Sequence, residues 1–137
     1  MAGSIVLDSS VIAAVFFPEE ITKKAIDILE QSDGITTDLA YAEVANVAWK
    51  RTARATTDPA AIRSSLSDCI AFIAETCDVI PSRDLLVPAY DLACRHRITV
   101  YDALFVAAAA RCGVPLVTAD TKLAAAAKET CEILLVG

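Results

Sequence analysis

Residues 4–11 read Ser-Ile-Val-Leu-Asp-Ser-Ser-Val, a short apolar run that ends on a carboxylate followed by two hydroxyl side chains. The run is too short for a buried helix, and it is typical of a strand covered on both faces, as in parallel sheets. Asp8 then lies at the carboxyl end of this strand. Ligands of open α/β proteins bind in the crevice outside those strand ends, so Asp8 is the first candidate site residue.

Four more short apolar segments predict strands further along the chain, with helical patterns between them. The predicted strands cover residues 35–37, 77–80, 114–118 and 133–136, and the predicted helices cover residues 19–31, 39–54, 57–76, 82–97, 102–112 and a segment from 120. Ser32, Asp33 and Gly34 resemble a C-terminal cap of the 19–31 helix. The alternation predicts an α/β fold: a single domain over residues 1–137, with a central five-stranded parallel sheet and helices on both faces.

Composition narrows the classes of function. The formal net charge of -6 argues against a broad surface that follows nucleic-acid phosphates. The chain has no apolar run of about 18 residues and no signal-peptide pattern at its start, so we expect a soluble, cytoplasmic protein without a membrane partner. Its five cysteines are an odd number without a C-x-x-C spacing. They predict buried thiols, with a disulfide only if the source is a hyperthermophile.

Three aspartates stand where a predicted helix begins. Asp8 and Asp120 follow apolar strands at the same edge of the sheet, and Asp102 heads a helix that is apolar on all sides. A carboxylate beside a buried apolar helix loses hydration, and this desolvation is energetically costly unless another group compensates its charge. Each aspartate also fits the simpler role of a helix N-cap.

Glu43 lies one turn inside its predicted helix, so it is not a cap. At steps of four, three and four residues, Leu39, Glu43, Asn46 and Lys50 share one helical face. Glu43 and Asn46 thus form a polar edge beside the apolar stripe. The alternative is a solvated glutamate favoured by the helix dipole.

Four carboxylates gathered in one crevice would repel one another and raise their pKa values unless a cation neutralised them. Oxygen ligands without histidine or cysteine suit Mg²⁺ or Mn²⁺ and argue against zinc. Such an ion beside a phosphodiester favours hydrolysis by an in-line displacement. The acids therefore predict a metal-dependent phosphoesterase.

The sequence lacks the motifs of other proteins that bind or transfer phosphate groups. The chain has neither G-x-G-x-x-G nor a Walker A sequence. A haloacid-dehalogenase-like phosphatase needs a second aspartate where Ser10 stands, and a receiver domain needs one where Ile80 and Pro81 stand. The single histidine, His96, reads as a solvated charge at a helix end rather than as an acid-base catalyst.

Four segments around the acids resemble those of PIN-domain ribonucleases, and the compact size resembles that of VapC-type toxins of toxin-antitoxin pairs. The segments are Ile-Val-Leu-Asp-Ser-Ser at 5–10, Tyr-Ala-Glu-Val-Ala-Asn at 41–46, Tyr-Asp-Ala-Leu at 101–104 and Leu-Val-Thr-Ala-Asp at 116–120. The resemblance implies a five-stranded parallel sheet and divalent-metal-dependent endonucleolytic cleavage of RNA. It also implies a homodimer and a VapB-type antitoxin whose C-terminal segment reaches into the acidic pocket.

The same resemblance implies roles for single residues. Asp8, Asp102 and Asp120 would ligate the metal, and Glu43 would be a ligand or would position water. Supporting roles beside these catalytic acids are expected for three polar residues: Ser9, Asn46 and Thr118.

Two interpretations stay open beside these roles. Thr118 also fits a hydroxyl that closes a strand end. The basic residues Lys50, Arg51 and Arg54 either receive the RNA backbone or form a charged helix end. The alternative to a nuclease is a non-catalytic module that binds RNA or a protein through the same pocket.

Overall fold

The apolar run before Asp8 forms the central strand of a five-stranded parallel sheet in the computed structural model, which describes residues 3–54 and 58–137. The strands are β1 (Gly3–Leu7), β2 (Ser32–Thr37), β3 (Asp78–Ile80), β4 (Leu116–Thr118) and β5 (Ile133–Leu135). Their order in the sheet is β3-β2-β1-β4-β5, and all neighbours are parallel. The predicted α/β fold with a five-stranded parallel sheet is confirmed.

Helices connect these strands. They are α1 (Ser9–Phe16), α2 (Thr22–Glu30), α3 (Leu39–Ala53), α4 (Pro59–Thr76), α5 (Leu86–His96), α6 (Val100–Cys112) and α7 (Thr121–Ala127), with a 3-10 turn (Ser82–Asp84) before α5. In the described part of the chain, none of the helices has the length and apolar character needed to cross a membrane.

The core lies on both faces of the sheet. Ile5, Val6 and Leu7 are all buried, although successive side chains of a strand point to opposite faces. Helix α6 is buried continuously from Ala103 to Ala109 and packs against β1, β2 and β4. This agrees with the prediction of a helix apolar on all sides.

The predicted C-terminal cap at residues 32–34 is wrong. These residues belong to β2 and pair with residues 3–5 of β1. A Cβ atom on Gly34 would lie 3.0 Å from Cδ1 of Leu7 and 3.4 Å from Sγ of Cys77. The glycine therefore allows side chains to pack closely over the strand. A sequence pattern cannot distinguish a glycine with this role from one that ends a helix.

Several helix starts also differ from the prediction. Helix α6 begins at Val100, with Thr99 as its N-cap: the Thr99 hydroxyl accepts a hydrogen bond of 3.1 Å from the amide of Asp102. Asp102 thus lies within the first turn and is not the cap. The proposed helix start at Thr57 falls outside the described residues, and Asp58 caps α4 through the amide of Ala60.

The cysteines and the histidine are only partly as predicted. All five cysteines are free thiols; Cys69 and Cys77 are buried, whereas Cys94 and Cys112 are exposed. His96 lies in the last turn of α5, as expected, but its Nε2 lies 2.7 Å from Oγ1 of Thr130 in a half-buried contact. It is therefore tied to the chain before β5 and is not simply solvated.

Candidate active site

A cavity of about 520 Å³ lies at the carboxyl ends of β1 and β4 and is bordered by α3 and α6. Its wall contains all four acids singled out in the sequence and two of their three supporting polar residues: Asp8, Glu43, Asp102, Asp120, Ser9 and Asn46. Thr118, the third supporting residue, is fully buried beside Asp8 and does not line the cavity.

Asp8 is both the N-cap of α1 and part of the cavity wall. Its Oδ1 accepts hydrogen bonds from the Val11 amide at 3.2 Å and from the Ser10 hydroxyl at 2.6 Å. Its side chain remains at the cavity, although the residue is only 5% exposed. The capping interpretation and the site interpretation of Asp8 are therefore compatible.

Two hydroxyl groups join the carboxyl ends of β1 and β4. The Thr118 hydroxyl donates to Oδ2 of Asp8 and accepts from the amide of Asp120 at 3.0 Å. The Ser10 hydroxyl, which donates to Asp8, accepts from the amide of Ala119 at 3.1 Å. This network fixes the Asp8 carboxylate relative to the loop that carries Asp120.

Sequence reasoning gave no supporting role to Ser10. The signal was its place directly after Asp8 and Ser9, but nothing in the sequence reveals the contact with Ala119, more than a hundred residues away. Helix geometry turns Ser10 back toward the capping carboxylate, and the parallel pairing of β1 with β4 brings the Ala119 amide to it.

The remaining acids lie within helices or at a helix start. Asp120 caps α7: its Oδ1 accepts from the amides of Lys122 and Leu123 at 2.9 and 3.1 Å. Glu43 lies on the α3 face predicted from its spacing, and the Ser9 hydroxyl donates to its Oε1. The first turn of α6 brings Asp102 to the cavity, where its side chain is half-buried.

Burial raises the pKa values of three of these carboxyls. The pKa of Asp8 rises to about 6 because the group is desolvated, although hydrogen bonds from Ser10 and Thr118 counteract part of the rise. Desolvation also raises the pKa of Glu43 and that of Asp102. Negative charge adds to the effect, since Asp102 acts on Asp8 and Glu43, and Asp120 acts on Asp102. The site carries uncompensated negative charge.

Positive charge near the acids is sparse. Lys50 lines the cavity from the face of α3 that carries Glu43. Arg51 is turned elsewhere, since it pairs with Glu19 at 3.3 Å and donates to the carbonyl of Pro18. In residues 3–54 and 58–137, neither of the two ion pairs involves an acid of the cavity.

The donor set fits a hard divalent ion that keeps part of its water. Over the described ranges, no three His, Cys, Asp or Glu side chains are placed to ligate one ion together. Mg²⁺ commonly takes only one or two carboxylates and retains several waters. Carboxylates that share a cavity and repel one another fit such partial ligation.

The cavity also contains apolar and aromatic residues that sequence reasoning did not single out. Tyr101 and Phe105 approach from α6, and Ala42 and Val47 from α3. Phe105 is 1% exposed, as expected for a core residue, whereas Tyr101 is 62% exposed. The sequence placed Tyr101 beside Asp102 but gave no sign that its ring stays outside the core.

Comparison with known proteins identifies the family. A family model described as PIN domain matches residues 5–129. Ribonuclease VapC3 of Pyrobaculum aerophilum is 36% identical over 121 residues, which cover 88% of this chain and 92% of that protein. Ribonuclease VapC1 of Mycobacterium tuberculosis is 53% identical over a shorter stretch of 47 residues, 34% of this chain and 35% of that protein.

Solved structures share the fold at lower identity. PAE2754 from Pyrobaculum aerophilum matches with a TM-score of 0.70 and 23% identity, covering 96% of this chain and 92% of that one. Mycobacterium tuberculosis VapC20, described as a Sarcin-Ricin loop cleaving toxin, matches with a TM-score of 0.69 and 19% identity, covering 90% and 95%. The resemblance inferred from the four acidic segments is confirmed: this chain belongs to the PIN-domain family.

Proposed function

We propose that this protein is a divalent-metal-dependent endoribonuclease that hydrolyses RNA phosphodiester bonds, and that it is the toxin of a VapBC-type toxin-antitoxin pair. One observation carries the proposal: carboxylates from four separate elements line one cavity, and three of them are desolvated without an ion partner. Such a site gains from a divalent cation. The name of the similar VapC3 ribonuclease supports RNA as the substrate. An enzyme that acts on cellular RNA would work in the cytoplasm.

Each residue has a role in this proposal. Asp8, Asp102 and Asp120 would hold Mg²⁺ or Mn²⁺, directly or through its waters, and Glu43 would ligate the ion or position the attacking water. When bound, the ion would polarise the scissile phosphodiester and lower the pKa of that water.

The neighbouring polar groups keep this arrangement in place. Ser10 and Thr118 fix the Asp8 carboxylate, and Ser9 holds Glu43 by donating to its Oε1. Asn46 and Lys50 lie further along the same face of α3 and line the cavity, and they would bind substrate phosphate.

Cleavage of RNA by the purified protein tests the proposal. We expect cleavage with Mg²⁺ or Mn²⁺, none with EDTA, and a loss of at least about 100-fold in Asp8→Ala and Asp102→Asn, the scale of losing a group that stabilises transition-state charge. Asp68→Asn is the matched control, because Asp68 is exposed on α4 and does not line the cavity. Activity that survives EDTA, or that survives both substitutions, rejects the site.

The acidic cavity also supports the antitoxin proposal. A cationic Arg or Lys on the antitoxin's C-terminal segment would neutralise the same carboxylates that the metal neutralises. The complex should therefore be inactive and poor in metal. A toxin-antitoxin complex from Klebsiella pneumoniae shares this fold, with a TM-score of 0.62. A purified complex that cleaves RNA with its metal bound would contradict this part of the proposal.

We also propose a homodimer. Leu86, Val87 and Tyr90 of α5 are 48%, 71% and 61% exposed and lie on one face of the helix, and clustered exposed apolar side chains can mark an interaction surface. Light scattering should give twice the mass of one chain, and Val87→Glu should shift the protein towards the monomer. A wild-type mass equal to a single chain would refute the dimer.

The alternative is a non-catalytic module that binds RNA or a protein through the same pocket. The exposed Tyr101 and the apolar Val47 of the cavity wall would supply contacts for such binding. This candidate predicts RNA or protein binding without turnover at any metal concentration. The cleavage assay with Mg²⁺ and Mn²⁺ separates the two candidates.

A further inference from the structure

Tyr101 has an unusual position for a large aromatic residue. It is the second residue of α6, a helix that is buried from Ala103 to Ala109, yet 62% of Tyr101 is exposed. Among the described residues, the paired aromatic rings are those of Phe16 and Phe72, so the Tyr101 ring does not pair with another ring. The Tyr101 ring is therefore available to a ligand at the rim of the acidic cavity.

The cavity admits one nucleotide more readily than a duplex. Asp8 is only 5% exposed, so a phosphodiester must enter the cavity to approach it. The volume of about 520 Å³ falls within the range of roughly 300–1,000 Å³ that accommodates small ligands. Proteins that recognise single-stranded RNA bind nucleotides whose bases are unstacked and splayed out, and they stack these bases on aromatic side chains.

The cavity wall has an apolar part and a cationic part, which suit the base and the phosphate of a nucleotide. Apolar surface from Val47 faces the same cavity as the Tyr101 ring, and Lys50 would supply a cation for a phosphate. Base stacking on an aromatic ring tolerates any base, because every base has a π-face. The ring is thus placed to hold a base while the attached phosphate lies near the acids.

We propose that Tyr101 binds the substrate by stacking on the nucleobase next to the scissile phosphate. This inference rests on the proposed ribonuclease function. It assigns Tyr101 a substrate-binding role and leaves the chemical step to the acids.

The experiment compares intact and abasic RNA. Fluorescence anisotropy measures the Kd for a single-stranded oligoribonucleotide, in an Asp102→Asn background that prevents cleavage, with Mg²⁺ present. We expect Tyr101→Ala to weaken binding about 5- to 150-fold, the range for loss of one stacked base, and Tyr101→Phe and Tyr101→Trp to bind within about twofold of the parent. With RNA lacking the base beside the cleaved bond, we expect Tyr101→Ala to bind as the parent does.

Trp49→Ala is the matched control, since Trp49 is 66% exposed on α3 and lies outside the cavity. We expect it to leave the Kd unchanged. The stacking inference is overturned if Tyr101→Ala binds intact RNA as well as the parent, as it would if the ring served a protein partner. It is also overturned if the loss is the same on intact and abasic RNA.

The same measurements distinguish a failure of the stacking inference from a failure of the proposed ribonuclease function. If the wild-type protein cleaves RNA and Tyr101→Ala is indistinguishable from it in KM and Kd, only the stacking inference fails. If the wild-type protein neither binds nor cleaves RNA with Mg²⁺ or Mn²⁺, the proposed function fails and the inference fails with it.

Discussion

The Thr118 hydroxyl donates a hydrogen bond to Oδ2 of Asp8, between residues 110 positions apart in the sequence. Thr118 is the last residue of β4 and Asp8 directly follows β1, so the parallel pairing of these strands brings the two side chains together. Both residues are buried. The bond favours the ionised form of a carboxyl group that burial favours in its neutral form.

Replacing Thr118 tests this relationship. Thr118→Val removes the donor, so the pKa of Asp8 should rise further above 6, by about one unit for a hydrogen bond to a charged group. The acid limb of the kcat/KM profile for RNA cleavage should then move to higher pH. Thr118→Ser keeps the hydroxyl and should leave the limb in place. A limb that is identical in Thr118→Val and the wild type would show that this bond does not tune Asp8.

Asp8 also makes the stability of the metal-free protein depend on pH. Its folded pKa of about 6 lies above the unfolded value of 3.8, so the folded state binds the proton more tightly. The resulting stability is fully present below pH 3.8 and is lost as the pH rises through 6, with a magnitude of about 3 kcal/mol. Glu43 and Asp102, whose pKa values are also raised, act in the same direction.

Urea unfolding in EDTA at pH 4 and pH 8 measures this effect. We expect Asp8→Asn to be more stable than the wild type at pH 8 and close to it at pH 4, because asparagine carries no charge to desolvate. Asp68→Asn on the exposed face of α4 should follow the wild type at both values. A difference between Asp8→Asn and the wild type that is the same at both pH values would refute the assignment.

Much of this arrangement could be predicted from the sequence because it depends on local rules. The run before Asp8 is too short for a helix and too apolar for an exposed strand, and parallel strands share one carboxyl edge. Helical spacing placed Glu43 and Asn46 on one face of α3, and both line the cavity.

The remainder depends on tertiary contacts that no local pattern records. Gly34 matched a helix cap in sequence, but the packing of Leu7 above it determines its role. Thr99, not Asp102, caps α6, since both residue types suit a helix start. The exposure of Tyr101 and Cys112 is set by which neighbours pack on each end of α6, and helical periodicity does not contain that information.

Divalent ions should stabilise the folded protein, since a ligand that binds only the folded state raises its stability by mass action. At pH 7.5, we expect Mg²⁺ or Mn²⁺ to raise the Tm of the wild type by several degrees and EDTA to reverse the rise. Asp102→Asn should lose most of the shift, whereas Asp68→Asn should keep it. Equal shifts in all three proteins would mean that the ion binds outside the acidic cavity.

Two neighbouring threonines of β2 offer a matched test of buried hydroxyl groups. Thr36 and Thr37 are both fully buried. The Thr36 hydroxyl donates to the carbonyl of Leu7 at 2.8 Å, whereas Oγ1 of Thr37 has no partner among the described residues. A buried polar group without a partner costs about 1–3 kcal/mol, while a hydrogen bond contributes about 1 kcal/mol. Thr37→Val should therefore raise the free energy of unfolding and Thr36→Val should lower it, each by about 1 kcal/mol in urea titrations; effects of the same sign would contradict this difference.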